Sequence, residues 1–272
     1  MQIITKIHVV ILLGAMVFGG SVQANQTKLS DTQQKGLDIA KEAELRNDGF
    51  IDNRAKLTMI LRNKRGDAST RLLRVRTLEG ENDAVDGDKS LMIFDSPRDQ
   101  KGSALLTYSY KFKPDDQWIY LPAAKRVKRI ASRNKSGPFV GSEFAYEDFN
   151  TPVVEKYKYD YLRDEQLQEQ DCYVIERAPL DKYSGYRRQI VWMDKLEYRV
   201  LKIDFYDRKN SLLKTLTVNG YELYSDRYWR ANNQMMINHQ TGKSTDLKFS
   251  DYQFKTGLRD VDFSINSLKR AR

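Results

Sequence analysis

At 272 residues, with 40% hydrophobic content including 16 Tyr, 11 Phe and 3 Trp, the chain has apolar side chains enough for a sizeable core, which excludes global disorder. Its 46 Lys and Arg against 37 Asp and Glu give a formal charge of +9, an excess suited to anionic lipid or an acidic partner. A single Cys excludes an internal disulfide, and two His with one Cys exclude a zinc cluster of the usual ligand types.

The chain opens with Lys6, an apolar run over 7–18 and the small-x-small triplet Val22-Gln23-Ala24. That order predicts a secretory signal peptide, 1–24, cleaved after Ala24, because the run is too short to span a bilayer. No Cys lies near the cut, so no lipid anchor is expected. Loss of Lys6 lowers the formal charge from +9 to +8. An exported, basic protein makes nucleic acid a poor expectation as partner.

Ser30 or Asp31 starts a helix through Leu37, Ala40, Ala43 and Glu44, with Gly49 as its stop. From Arg54 the period changes to two. Leu57, Met59 and Leu61 alternate with Thr58, Ile60 and Arg62, 64–67 turns the chain, and Leu73, Val75 and Thr77 follow. A polar loop over 79–89 leads to a strand at 90–94. Residues 97–102 break the pattern, and 104–112 resumes it with Leu106, Tyr108, Tyr110 and Phe112 on one face. Over 117–121, Trp118 and Tyr120 share one face, Ile119 and Leu121 the other. Pro122 turns the chain into a very basic strand, where Val127 and Ile130 sit among Lys125, Arg126, Lys128 and Arg129. Gly137, Pro138 and Gly141 mark a loop. Ser142 then reads as the N-cap of a short helix carrying Phe144, Tyr146 and Phe149. Strands are expected around Tyr157, Tyr159 and Tyr161, and over 171–178, 187–193, 199–206 and 213–224. A hairpin over 235–249 turns at Thr241-Gly242-Lys243, and 261–268 closes the chain with a turn or helix.

About ten strands joined by short polar turns predict a mainly β (α+β) protein built on one antiparallel sheet. A sheet of that length curls, giving an incomplete β-barrel whose concave opening a few helices cover. No repeat or linker divides 25–272, so a single domain is expected.

Catalytic machinery is hard to assemble. His8 lies in the predicted leader, which leaves His239 and Cys172 in separate strand patterns without a supporting motif. Glu143, Glu147 and Asp148 could form paired carboxylates for glycoside hydrolysis, but acidic residues opening a short helix are explained by its dipole. No enzyme, cofactor or metal is expected. The aromatic faces and the adaptable Met59, Met92, Met193, Met235 and Met236 suit a cavity wall for acyl chains. The basic strand, extended by Arg133 and Lys135, is either a solvated face or a docking patch.

The run DDQWIYLPAAKRVKRI (115–130), followed by GSEFAYEDF (141–149), resembles the signature of the LolA-like outer membrane lipoprotein-sorting protein family. The likeness extends diffusely from about 36 to 270. It implies a strongly curved, incomplete barrel, and a periplasmic, monomeric carrier that shields acyl chains of a lipid or lipoprotein between inner and outer membrane. It also implies an inner-membrane partner of the resistance-nodulation-division type. The alternative is a non-enzymatic accessory subunit of such an exporter, its hollow filled by its own side chains. On this reading the cavity is expected at Leu106, Tyr108, Tyr110, Trp118, Tyr120, Phe139, Phe144 and Phe149. Docking to the partner or to lipid headgroups is expected at Lys125, Arg126, Lys128 and Arg129. The aromatic strand and the short 142–149 helix are expected to form the cavity's mouth and gate.

Overall fold

The computed structural model describes residues 28–80 and 86–270. The predicted signal peptide and its cleavage after Ala24 lie outside the described residues.

Helix α1 (Asp31–Asn47) begins at a capping box. Gln33 N donates to Ser30 Oγ at 3.2 Å while Ser30 N donates to Gln33 Oε1 at 3.1 Å. Only three of its residues, Gly36, Ile39 and Ala40, are buried, so the helix rests on the sheet by a narrow face. Gly36 sets how closely. A Cβ there would lie 2.8 Å from Tyr161 N and 2.9 Å from Asp160 C, too near to be accommodated.

Thirteen strands follow: β1 (Asp52–Arg62), β2 (Ala68–Leu78), β3 (Asp86–Ser96), β4 (Ala104–Tyr110), β5 (Asp116–Leu121), β6 (Arg126–Arg129), β7 (Tyr157–Leu167), β8 (Gln170–Pro179), β9 (Tyr186–Asp194), β10 (Val200–Asp207), β11 (Leu212–Tyr224), β12 (Tyr228–Asn238) and β13 (Ser244–Phe254). They form one open antiparallel sheet in the order β6-β5-β4-β3-β2-β1-β13-β12-β11-β10-β9-β8-β7. Two meanders are therefore joined at their middle by the β1–β13 pair. The consequence is topological. Strands β6 and β7 are consecutive in sequence yet lie on opposite free edges, so the chain between Arg129 and Tyr157 must cross from one edge to the other.

Register assigns each side chain to a face. Opposed residues share a face, and one row runs Ala55–Val75–Met92–Leu105–Ile119 across five strands. This inner face belongs to the main core, with Leu57, Met59, Leu73, Phe94, Val191, Phe205, Met236 and Leu247. The alternate rows, Leu91–Leu106–Trp118 and Ile93–Ala104–Tyr120–Val127, lie on the outer face. The C-terminal segment covers them, through Leu258, Phe263 of a 3-10 turn (Asp260–Phe263) and Leu268 of helix α2 (Ile265–Lys269). A third, smaller cluster holds Cys172 with Val174, Ile190 and Trp192.

Several boundaries differ from the sequence expectation. Part of the predicted 79–89 loop is the start of β3, and the 235–249 hairpin is the tip of the longer β12 and β13. The predicted 142–149 helix does not form. Pro138 bridges Ala145, and Phe139 N donates to Phe144 O at 2.7 Å, which closes a tight loop that a continuous helix would break. Two 3-10 turns, Phe139–Gly141 and Tyr146–Phe149, take its place. Ser142 Oγ donates to Phe144 O at 3.2 Å instead of capping a helix.

Candidate ligand cavity

The crossing segment carries four aromatic rings against the inner face. Phe139 is fully buried, with ring centroids at 5.8 Å from Phe94, 5.5 Å from Tyr146 and 4.7 Å from Phe149, and Phe144 lies 5.7 Å from Phe149. These rings plug part of the hollow.

Polar contacts pin the segment from nearly every strand it passes. Arg71 Nη1 donates to Val140 O at 2.6 Å, and Gln117 Nε2 to Tyr146 O at 2.8 Å. Asn238 Nδ2 donates to Glu143 Oε2 at 2.7 Å. Glu147 accepts from Ser184 Oγ at 2.7 Å and from Gly185 N at 2.8 Å, and burial holds its carboxyl above the usual range. Asp148 accepts from Lys214 Nζ at 2.7 Å, Tyr186 Oη at 2.8 Å and Ala145 N at 2.6 Å. Lys214 and Asp148 expose only 4% and 7% of their side chains, so this is a buried ion pair. The three carboxylates considered above as catalytic acids are thus occupied in holding the segment down.

Beside the plug, at the seam where the β4–β5 loop meets the start of β7, a cavity of ≈ 670 Å³ remains. That volume lies within the range of small-molecule sites. Its apolar lining includes Phe144, Ile203, Phe205, Leu216 and Met236, all buried. Gln189, Gln234, Arg177 and Tyr157 add polar groups. Exposed Phe112, Leu180 and Tyr183 stand among the lining residues, alongside Lys113 and Lys182. The β4–β5 loop is tied to the start of β7 by the Lys156–Asp115 and Lys111–Glu155 ion pairs, and to the crossing segment by Lys135, which donates to Asp115 O. Burial pushes the Lys135 ammonium below its usual pKa.

The structure divides the predicted site residues. Leu106, Tyr108, Trp118 and Tyr120 lie away from the cavity, on the outer face, and Tyr108 Oη donates to Phe263 O at 2.6 Å. Tyr110 is buried on the same side as Tyr108, with its hydroxyl 3.3 Å from Asp116 Oδ2. Contrary to the sequence expectation, none of the five lines the cavity: Leu106 and the rings of Tyr108, Trp118 and Tyr120 supply the apolar bed that the C-terminal segment needs. Mouth and gate are not built from the 117–121 strand. Phe139 and Phe149 belong to the plug, and Phe144 alone of the eight lines the cavity. Lys125, Arg126, Lys128 and Arg129 are exposed on edge strand β6 and its turn, where their charge also blunts strand pairing. Arg129 is ion-paired with Asp116.

Sequence reasoning missed Ile203, Phe205 and Leu216. Their alternation in β10 and β11 marks them as inward-facing, but nothing local marks which inward residues the plug leaves uncovered. His239 Nε2 lies 2.8 Å from Thr215 Oγ1, and Cys172 is buried in the third cluster, so the two share no site. Among the described residues no cluster of three or more His, Cys, Asp or Glu could hold a metal ion.

Asp88 links the sheet to the seam. It accepts from Gly80 N and Thr151 Oγ1, each at 3.1 Å, and burial raises its pKa to about 6. A carboxyl raised above its unfolded value binds more protons in the native state, so its contribution to stability falls as pH rises from about 4 to 7. That loss is at most about 3 kcal/mol. Urea unfolding across this range should show the fall, and Asp88→Asn should flatten it.

The frame is an open antiparallel sheet, plugged in part by its own crossing segment and hollow beside it. Three solved structures share the frame. An outer membrane lipoprotein-sorting protein domain from Vibrio parahaemolyticus is 55% identical, with a TM-score of 0.85 over 88% of this chain and 100% of that one. A DUF1329 family protein from Desulfovibrio piger is 30% identical, with a TM-score of 0.83 over the same shares. A LolA superfamily protein from Nitrosomonas europaea shares the fold at 20% identity, with a TM-score of 0.67 and again 88% and 100% coverage. A family model described as "Uncharacterized protein" matches residues 86–270. No curated protein matches the chain. The chain belongs to the family of this outer membrane lipoprotein-sorting protein domain and the DUF1329 protein.

Proposed function

We propose that this protein is an exported, periplasmic carrier that holds acyl chains of a lipid or lipoprotein in the seam cavity and moves them between membranes. The observation that carries this reading is an apolar lining of Ile203, Phe205, Leu216, Met236 and Phe144 in a cavity of ≈ 670 Å³ whose lining also includes lysines. Each methylene buried there contributes about 0.8 kcal/mol. Lys113 and Lys182 are placed to meet an anionic headgroup, and release then requires a competing receptor. An inner-membrane exporter of the resistance-nodulation-division type is the proposed partner, with exposed Lys125, Arg126 and Lys128 as a docking patch. Organic-solvent extraction of gently purified protein, read by mass spectrometry, should return stoichiometric lipid, and Leu216→Trp should reduce it severalfold without unfolding the chain. A lipid-free extract from folded protein would sink the carrier reading.

A second reading is favoured by the plug: a hollow occupied by Phe139, Phe144 and Phe149 suits a non-enzymatic accessory subunit of the exporter. The lipid-free outcome would support it.

A further inference from the structure

At one end of the sheet, the α1 terminus and the β9–β10 and β11–β12 turns enclose a second cavity of ≈ 430 Å³, sharing no lining residue with the first. Its lining holds Arg46, Arg199, Arg227 and Arg230 against a single carboxylate, Glu197. Each guanidinium lies over an aromatic ring: Arg46 is 4.7 Å from the Tyr198 centroid, Arg199 is 4.5 Å from Trp229, Arg227 is 5.4 Å from Tyr228 and Arg230 is 5.3 Å from Phe254. Stacking of this kind holds the guanidinium plane and leaves its N–H edge for an oxyanion.

The four cations are not equally engaged. Arg46 bonds Glu42 and Glu197, and Arg199 bonds the buried Asp194. Arg227 donates to Asp48 O at 2.9 Å, and Arg230 donates to Trp229 O at 3.0 Å. Among the described residues neither has a carboxylate within ion-pair distance. The carbonyl end of α1, which would repel an anion, is met by Arg227.

The rim is apolar and exposed. Leu45 is 62% exposed and Leu196 75%, and Arg46 Nη1 donates to Leu196 O at 2.8 Å, which puts both leucines beside the pocket. Ile51 and Leu223 are also exposed, Leu223 directly opposite Trp229 in the β11–β12 ladder. Arginines on aromatic rings, a Trp and bare leucines at one end of a basic protein match the interfacial layer of a bilayer, where leucines enter the acyl boundary and cations meet phosphate.

We propose that this end of the barrel docks on an anionic phospholipid surface, with a headgroup phosphate seated between Arg227 and Arg230. The surface is separate from the basic β6 strand and does not depend on what occupies the seam cavity. Charge complementarity selects the occupant: an anionic headgroup gives Arg227 and Arg230 the ion-pair partner that Asp48, Glu79 and Asp88, acting on them from longer range, do not.

The test is flotation of the purified full chain with vesicles of phosphatidylcholine alone and of phosphatidylcholine with phosphatidylglycerol. Binding is expected only to the anionic vesicles and should weaken with added salt. Arg227→Gln should weaken it about fivefold, and Arg227→Gln with Arg230→Gln about tenfold or more. Arg230 is half-buried and its loss could perturb the fold, so Leu45→Ser with Leu196→Ser provides an independent variant on exposed positions, again expected to lose binding severalfold. Lys209→Gln with Lys243→Gln, in the exposed β10–β11 and β12–β13 turns, should leave binding within about twofold. Equal binding by wild type and by all pocket variants overturns the proposal. So does pocket-dependent binding of inorganic phosphate without any vesicle binding, which would assign the pocket to the free ion. Pocket-dependent binding of polyglutamate without vesicle binding would assign it to an acidic protein partner.

Discussion

Lys214→Met is expected to lower the stability of the folded chain by about 3–5 kcal/mol, because it strands the Asp148 carboxylate in a buried site. Lys214 Nζ is the cation that carboxylate faces, at 2.7 Å, and it also donates to Glu143 O at 2.9 Å. The pair itself contributes little, since both charges are desolvated; the cost arises from removing one partner. Asp148 would keep its bonds from Tyr186 and Ala145 but with no compensating charge. The double variant Lys214→Met with Asp148→Asn should therefore recover much of the loss, which a urea titration of all three variants would measure. The damage should concentrate in the crossing segment. Protease cleavage between the two 3-10 turns should rise in Lys214→Met and fall back in the double variant. Equal stability of the single and double variants would mean that the pair does not hold the segment.

The sequence made the sheet legible because its alternation is strict. Leu57, Met59 and Leu61, or Leu73 and Val75, can serve only a strand with one buried face. It did not say which face of β4 and β5 was the inner one. Both faces of β5 carry large side chains, Trp118 and Tyr120 against Ile119 and the fully buried Gln117. The choice is made by the C-terminal segment, far away in sequence, which covers Trp118 and Tyr120 through Leu258, Phe263 and Leu268. Aromatic bulk pointed toward a cavity, whereas the register through Leu91 and Leu106 placed that bulk outside. The 142–149 stretch misled for a different reason. Ser142 followed by acidic residues is a helix-start signal, but the same residues serve equally well in tight turns when long-range partners claim them. Thr245, Asn238, Lys214 and Ser184, which claim Glu143, Asp148 and Glu147, come from three other parts of the chain. Such contacts have no local signature.

One sheet thus serves two coverings. Its outer face near β3–β6 is closed by the C-terminal segment, while its inner face is closed only in part, by a segment that topology obliges to cross it. The hollow is what that crossing leaves over. Much of its apolar lining comes from β10, β11 and β12, strands outside the signature that marks the family resemblance, and Phe144 of the signature completes it. Changes in the signature should act on fold and plug, whereas changes at Ile203, Leu216 or Met236 should act on what the cavity holds.

Phe139→Ala tests that division, since Phe139 stands where plug and core meet. It is fully buried, and its loss should cost about 3–5 kcal/mol, the range for deleting a core aromatic. Its ring lies 4.7 Å from Phe149, and Phe149 lies 5.7 Å from Phe144, which lines the cavity. Collapse into the vacated space should tip Phe149 inward and enlarge the cavity at Phe144. A ligand that binds only the native state stabilises it by an amount that grows with its affinity. Added lysophospholipid should therefore raise the urea midpoint of Phe139→Ala by more than it raises that of the unaltered protein. Leu247→Ala, in the same core but absent from the cavity lining, should lose comparable stability without that extra response. If lysophospholipid raises all three midpoints equally, the plug and the cavity are not continuous, and the rings of the crossing segment serve the core alone.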